Sequence, residues 1–147
     1  MEQVSQRQVH TLLAKYAENH LNPTNELIHF ICVPAIVLSI IGLVWAIHPL
    51  LALATVLLSL IYYCTLSVPL AFGMVLMSCL MLWLLSMLPQ GQVLQFSLAI
   101  FVVAWIGQFI GHKIEGKKPS FFEDVRFLLI GPLFVLGFLY RRLNIDY

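Results

Sequence analysis

The sequence predicts an all-α integral membrane protein, a bundle of four transmembrane helices plus a short C-terminal re-entrant or fifth helix. No Asp, Glu, Lys or Arg occurs at residues 27–111. The chain is 61% hydrophobic, and its mean hydropathy is +0.92. Because a soluble domain does not expose so long an uncharged stretch, we expect residues 27–111 to lie in the lipid bilayer.

The charge content sets the domain organisation and excludes one class of partner. Only 10% of the 147 residues are charged, against about 25% in ordinary globular chains. We expect one multi-pass membrane domain, with a cytoplasmic N-terminal segment at 1–26, the four-span bundle at 27–111, and a cytoplasmic loop and C-terminal hairpin at 112–147. A net charge of +1, without a basic arm, excludes nucleic acid as a partner.

Proline and glycine clusters divide the uncharged stretch into spans of suitable length. A transmembrane helix needs about 20 apolar residues, and breaks occur at 48–49, 67–69 and 89–92. The predicted spans are residues 27–47, 50–66, 70–88 and 93–111. Asn22 is a suitable N-cap with Pro23 in the first helical position, so the first helix is expected to begin before its apolar part.

The distribution of basic residues predicts the orientation of the bundle. The turns at 48–49 and 89–92 carry no Lys or Arg, whereas the segments before the first span and after the fourth carry several. The positive-inside rule therefore places both ends of the bundle in the cytoplasm. This is the inner membrane for a bacterial protein and the endoplasmic reticulum for a eukaryotic one. His20, His29 and His112 are then expected on one face of the membrane.

A last apolar segment at residues 125–140 is too short for an ordinary span, and Gly131-Pro132 interrupts it. A complete crossing would place Arg141 and Arg142 outside, against the charge rule. We therefore favour a re-entrant or steeply tilted hairpin that keeps both arginines on the cytoplasmic side, with a fifth short crossing as the alternative.

Three polar residues at the end of the fourth span share one helical face. Gln108, His112 and Glu115 stand at i, i+4 and i+7. His112 and Glu115 form an HxxE pair, which supplies either two metal ligands or one ligand and a carboxylate that orients it. The alternative interpretation is a polar helix end hydrated among the lipid headgroups.

Two further histidines flank the start of the first span. On one unbroken helix His20 and His29 would point in opposite directions, at 100° per residue. Pro23 lies between them and favours a helix break, which permits His20 to fold back toward His29. An ionisable side chain at the depth of His29 usually faces the protein interior and has a partner. A histidine bonded only to a backbone carbonyl is the alternative.

Three histidines and a carboxylate on one rim suit a first-row metal such as iron or zinc. Among the neighbouring basic residues, Lys117 and Lys118 have two interpretations. They either fix the topology and bind anionic headgroups, or they hold the carboxylate of an amphipathic substrate. Trp105 is interpreted as a packing or interface residue.

Four segments together resemble the 2-hydroxy fatty acid dioxygenase family. They are YAENHLNPTNELIH at residues 16–29, ICVP at 31–34, WIGQFIGHKIEGKKP at 105–119 and IGPL at 130–133. The resemblance extends over nearly the whole chain and implies a non-haem Fe(II) dioxygenase of fatty acid α-oxidation. The enzyme would convert a long-chain 2-hydroxy fatty acid and O2 to a fatty acid one carbon shorter, without 2-oxoglutarate.

The resemblance also implies roles for individual residues. The histidines at 20, 29 and 112 match the iron-ligand candidates of the family, and Asn25, Gln108 and Glu115 match polar positions in the same segments. Glu115 is expected as a fourth ligand or as the residue that orients His112. The family often has arginine where this chain has Lys117, which keeps the charge but loses bidentate geometry toward a carboxylate.

Two other functional classes remain open at this point. A zinc-dependent lipid hydrolase would use the same residues, with the metal activating water and Glu115 as general base. A non-enzymatic scaffold or transporter needs no bound metal. An ion-coupled carrier should have ionisable residues near the middle of the bilayer, and the sequence has none there. Oligomeric state is left open.

Overall fold

The computed structural model describes residues 2–118 and 121–147, which form α-helices joined by short turns. Pro119, the last residue of the family-like segment at 105–119, and the following Ser120 lie outside the described residues. The helices are α1 Glu2–Ala17, α2 Pro23–Ile47, α3 Pro49–Leu66, α4 Val68–Ser86, α5 Gln90–Glu115, α6 Phe121–Arg126 and α7 Ile130–Arg142.

Helices α2 to α5 are the four that are long and apolar enough to cross a membrane, so the predicted four-span bundle is confirmed. Large apolar side chains cover their outer faces: Leu58, Leu76 and Val103 are 69%, 58% and 69% exposed. So much exposed apolar surface is untenable in water. The chain is accordingly a multi-pass membrane protein.

The ends of these helices follow local capping chemistry and therefore differ from the apolar boundaries by a few residues. Asn22 caps α2 by accepting a hydrogen bond from the Thr24 backbone N–H, with Pro23 next to it, as predicted. Helix α5 continues past the last apolar residues to Glu115. It stops at Gly116, which adopts φ 77°, a left-handed conformation that glycine tolerates best.

Helices α2 and α5 form the most extensive contact between any two elements, and glycine permits their close approach. A Cβ on Gly107 would lie 2.5 Å from the Cys32 sulfur, and one on Gly111 would collide with the Asn25 side-chain oxygen. Small residues at such an interface let two membrane helices pack backbone against backbone. This packing brings the start of α2 beside the end of α5.

Helices α1 and α7 cover the same end of the bundle. Val9, Leu13 and Tyr16 of α1 pack with Leu133 and Phe134 of α7 in a buried cluster that also includes residues of α3 and α4. This end of the molecule therefore has a packed apolar core beneath its polar rim.

The C-terminal segment enters the bundle and returns. Leu128, just after α6, packs against Ile36 and Trp105, well inside the bundle. At the other end of α7 the Tyr140 hydroxyl donates to the Pro69 carbonyl, 2.8 Å away. Pro69 opens α4, at the end of the bundle where α2 also begins. The segment therefore begins and ends at the same end of the bundle, as expected of the hairpin that the sequence favours over a fifth crossing, and we call it the re-entrant segment.

Candidate functional site

The rings of His20, His29 and His112 lie together at the end of the bundle where α2 begins and α5 ends. Ring centroids are 4.2 Å apart for His20 and His29, 5.1 Å for His29 and His112, and 6.3 Å for His20 and His112. All three residues are buried. The three rings therefore lie together at one end of the bundle, as expected from the sequence, and form one buried cluster.

His20 reaches the cluster because the chain breaks between α1 and α2, as the position of Pro23 predicted. Helix α1 ends at Ala17, and the turn that follows carries His20 back over the start of α2. The His20 ring stacks on Tyr16, with centroids 4.4 Å apart. The ring position is thus set by α1 as well as by the turn.

Backbone carbonyls determine which ring nitrogen carries the proton in His20 and His29. His20 Nδ1 lies 2.7 Å from the Tyr16 carbonyl oxygen, and His29 Nδ1 lies 2.9 Å from that of Asn25. A carbonyl only accepts, so each Nδ1 must donate. Each Nε2 is then left with a lone pair, the form in which imidazole binds a metal.

His112 is oriented in the same way by the carboxylate of Asp124, a residue that was not among those predicted from the sequence. Its Nε2 lies 2.9 Å from both carboxylate oxygens of Asp124, so Nε2 donates and Nδ1 keeps the lone pair. Asp124 belongs to α6, and only the folding of the re-entrant segment brings it here. The available signal was an acidic pair, Glu123-Asp124, directly before an apolar stretch.

The three remaining nitrogens are His20 Nε2, His29 Nε2 and His112 Nδ1, and each is buried without a hydrogen-bond partner. Three imidazole nitrogens in one cluster are, with the rings in their neutral form, a donor set that iron and zinc accept. Among residues 2–118 and 121–147, however, no three His, Cys, Asp or Glu side chains are already arranged as a metal site. The donor chemistry therefore fits a metal, whereas the side-chain positions are not preformed for one.

On the α1 side of the site, burial and nearby charges keep the His20 imidazole and the Tyr16 hydroxyl neutral. Burial is the main cause that lowers the pKa of His20 below its usual 6.5, and the nearby His112 adds to it. Burial, followed by the negative charge of Asp124, raises the pKa of the Tyr16 hydroxyl. At neutral pH His20 thus keeps a free lone pair, and Tyr16 keeps its proton.

Glu115 has different contacts from either role that its spacing suggested. Its carboxylate accepts the backbone N–H of Leu21 at 3.0 Å and of Asn22 at 2.9 Å. It also accepts the side-chain amide of Asn25 at 2.9 Å. Glu115 therefore fastens the α1–α2 turn to the end of α5, and Asp124 is the residue that orients His112. Asn25, fully buried, connects this turn to the histidine pocket.

Gln108 lies beneath the histidines beside a small cavity of about 20 Å³. Asp124, Tyr16 and Trp105 also line it. The Gln108 side-chain oxygen and the Trp105 indole nitrogen are both buried without a partner. Trp105 was expected only to pack, and the unused donor that it presents here became visible only in the structure.

The two lysines considered as partners of a substrate carboxylate both line, with Lys113, a broad groove on the outer side of α5. The Lys117 ammonium also donates to the Glu18 carbonyl at 3.0 Å and to the Asn19 side chain, so it helps to hold the α1–α2 turn.

The other two histidines lie away from the cluster. His10 is exposed on α1, and His48 caps α3 at the opposite end of the bundle by accepting the Leu50 backbone N–H.

Comparison with known proteins finds relatives over most of the chain. Residues 6–143 match a family described as 2-hydroxy-palmitic acid dioxygenase Mpo1-like. The chain is 33% identical over 133 residues to the 2-hydroxy-palmitic acid dioxygenase MPO1 of Saccharomyces cerevisiae. That alignment covers 84% of this chain and 75% of the yeast protein. No solved structure matches. The chain belongs to the 2-hydroxy-palmitic acid dioxygenase Mpo1-like family.

Proposed function

We propose that this protein is an integral-membrane, Fe(II)-dependent dioxygenase. It converts a long-chain 2-hydroxy fatty acid and O2 to the fatty acid one carbon shorter, with CO2 and water as the other products. The substrate supplies all four electrons that O2 takes up, so the balance needs no 2-oxoglutarate or external reductant. The substrate class is taken from the yeast relative, which is named a 2-hydroxy-palmitic acid dioxygenase.

One observation carries the proposal: three imidazole nitrogens of one buried cluster have no hydrogen-bond partner, whereas the other nitrogen of each ring has one. In this scheme His20, His29 and His112 hold Fe(II) and leave other positions open. A bound iron supplies one-electron and O2 chemistry that side chains alone do not provide. The choice of iron over zinc depends on the family relationship, since imidazole suits both metals.

The surrounding residues have defined tasks in the proposed reaction. Asp124 holds His112 in the tautomer that leaves Nδ1 free. Gln108 and Trp105 present an acceptor and a donor just below the histidines, suited to a hydroxyl or carboxylate. Tyr16, which keeps its proton, limits access of water from the α1 side. Lys118 is retained as a candidate for attracting the substrate carboxylate at the membrane surface.

The test is metal content and oxygen uptake of the His112→Ala variant, purified anaerobically in detergent. We expect loss of stoichiometric iron and of O2 consumption with 2-hydroxypalmitic acid. The matched control is His10→Ala, an exposed histidine at the same end, which should keep both. Full iron content and full activity in His112→Ala would refute the proposal.

A zinc-dependent hydrolase remains the second candidate by donor type. The contacts of Glu115 weigh against it, because the residue assigned as general base already accepts three hydrogen bonds from the α1–α2 turn and Asn25. An assay without oxygen separates the two: a hydrolase turns over anaerobically, whereas the proposed dioxygenase stops.

A further inference from the structure

An apolar cavity of about 140 Å³ lies deeper in the bundle than the histidines, between α2, α3, α4 and the tip of the re-entrant segment. Its lining includes Val37, Ile41, Val56, Met74, Leu128 and Leu129. The function proposed above assigns it no role.

Polar side chains in the lining do not make this cavity polar. Thr55 and Ser59 donate their hydroxyls to backbone carbonyls of their own helix, at 2.9 Å and 3.0 Å. Tyr63 donates to the Leu129 carbonyl at 2.9 Å. Ser78 contributes one further hydroxyl to the lining. Since the other three donors are already satisfied, the cavity offers mainly hydrocarbon surface to an occupant.

The depth of the cavity corresponds to the end of an acyl chain. Val37 and Ile41 follow His29 in α2 by 8 and 12 residues, or about 12 Å and 18 Å along the helix axis, and Ile40, which also lines the cavity, lies on the same face of α2 as His29. One leaflet of a bilayer with a core of about 30 Å is roughly 15 Å deep. A chain whose head group lies at the histidines therefore places its last carbons at this level.

Leu128 connects the cavity with the histidine site. It lines the large cavity, and it also lines the small one beneath the histidines, together with Gln108 and Asp124. Leu128 therefore lies at the boundary of both spaces, and its rotation would be needed to join them. The histidines, the small cavity, Leu128 and the large cavity thus follow one another in depth along α2.

We propose that the cavity receives the methyl end of the substrate's acyl chain and limits the length of chain that the protein accepts. This inference rests on the proposed function for the position of the head group. The alternative occupant is an ordinary lipid chain of the bilayer.

The main test fills the cavity with Val56→Phe and compares it with Val103→Phe, the same change on the lipid-facing side of α5. Binding of saturated fatty acids of increasing length is measured on detergent-purified protein, together with turnover of the matching 2-hydroxy acids. In Val56→Phe we expect the preferred chain to shorten, with affinity falling about fourfold for each methylene that no longer fits. Val103→Phe should keep the wild-type profile. An unchanged length preference in a folded Val56→Phe protein would overturn the proposal.

A second measurement needs no variant. A fatty acid with a photoreactive diazirine at its methyl end is crosslinked to the wild-type protein, and the labelled peptides are identified. Label at Val37, Ile41, Val56 or Met74 supports the proposal, and label confined to lipid-facing side chains such as Leu58 or Val103 overturns it. Binding and crosslinking do not depend on turnover. If the dioxygenase assignment fails, iron and O2 uptake are absent at every chain length, whereas the length preference is still measured.

Discussion

A buried imidazole that donates from one nitrogen keeps an acceptor on the other, and burying that acceptor without a partner is costly. The penalty is about 1–3 kcal/mol for each group, so three such nitrogens cost roughly 3–9 kcal/mol. Native proteins are stable by only about 5–15 kcal/mol in total. The cluster of His20, His29 and His112 is therefore unfavourable for stability alone, and a shared ligand would recover the cost. This cost of burial supports the proposed metal more directly than the distances between the rings do.

Replacing Asp124 tests the orientation of His112. In Asp124→Asn the side-chain amide no longer forces the proton onto His112 Nε2, so the Nδ1 lone pair is no longer guaranteed. We expect iron affinity to fall by about 10–100-fold, as for other carboxylates that orient a histidine ligand. Anaerobic iron titration measures this effect, with Asp146→Asn at the exposed C-terminus as the control. Equal affinity in both variants would remove Asp124 from the site.

Gly111 tests the close approach of α2 and α5 at the site itself. The Cβ of Gly111→Ala would collide with the Asn25 side chain and come within 3.1 Å of the His29 ring. We expect a loss of about 1–3 kcal/mol from overpacking, accompanied by weaker iron binding. The control is Gly91→Ala on the same helix, where a Cβ meets nothing within 4 Å and stability should be kept or improved. Thermal unfolding in detergent compares the two variants, and equal melting temperatures would contradict this prediction.

The α1–α2 turn is held in place by residues about 90 positions later in the sequence. Glu115 accepts its backbone N–H groups, and Lys117 donates to Glu18 and Asn19, so the end of α5 fixes the segment that carries His20. The HxxE spacing predicted that Glu115 binds a metal or orients His112, whereas its hydrogen bonds go to the α1–α2 turn and Asn25. Spacing on one helix does not reveal that the carboxylate points to another segment of the chain.

Neutralising Glu115 should release this turn. In Glu115→Gln we expect faster hydrogen exchange at the Leu21 and Asn22 amides, because the charged acceptor of both N–H groups is lost. The control is Glu18→Gln, an exposed carboxylate in the same turn. Hydrogen–deuterium exchange with mass spectrometry resolves this segment. Unchanged exchange in Glu115→Gln would mean that these contacts do not hold the turn.

The re-entrant segment is the element that the short apolar length and the two arginines predicted. Its break before Ile130 has a physical cause, since Pro132 is tolerated in the first turn of a helix but not in its interior. The fold adds that the segment delivers Asp124 to the rim and Leu128 to the interior. One short element thereby supplies a residue to the histidine site and another to the boundary between the two cavities.

The order and direction of the helices place the polar residues of the site at one end of an otherwise apolar bundle. Four crossings return the chain to its starting side, so residues about 90 positions apart, such as His20 and His112, meet at one end. The positive-inside rule predicts that this end is cytoplasmic.

Labelling of single cysteines tests that orientation. In a background without the native cysteines, we expect Asn19→Cys and Asn144→Cys to react with a membrane-impermeant maleimide only when the cytoplasmic face is accessible. Gln92→Cys in the α4–α5 turn should react only from the opposite face. If Asn144→Cys and Asn19→Cys reacted from opposite faces, the C-terminal segment would be a crossing and not re-entrant.

The sequence alone determined the membrane environment, the number of spans and the common end of the three histidines. These follow from hydropathy, charge and parity, which are properties of the chain in one dimension. Helix breaks at Pro23 and before Ile130 were equally readable, because proline acts on its local backbone.

The partner of each polar group, and the apolar cavity deeper in the bundle, could be identified only from the packing of the helices. The assignment of Asp124 to His112, the binding of Glu115 to the α1–α2 turn, and the unused donor of Trp105 all depend on how α2, α5 and the re-entrant segment pack. Hydrogen bonds act over about 3 Å, and no periodicity along one helix specifies which distant side chain will come within that distance.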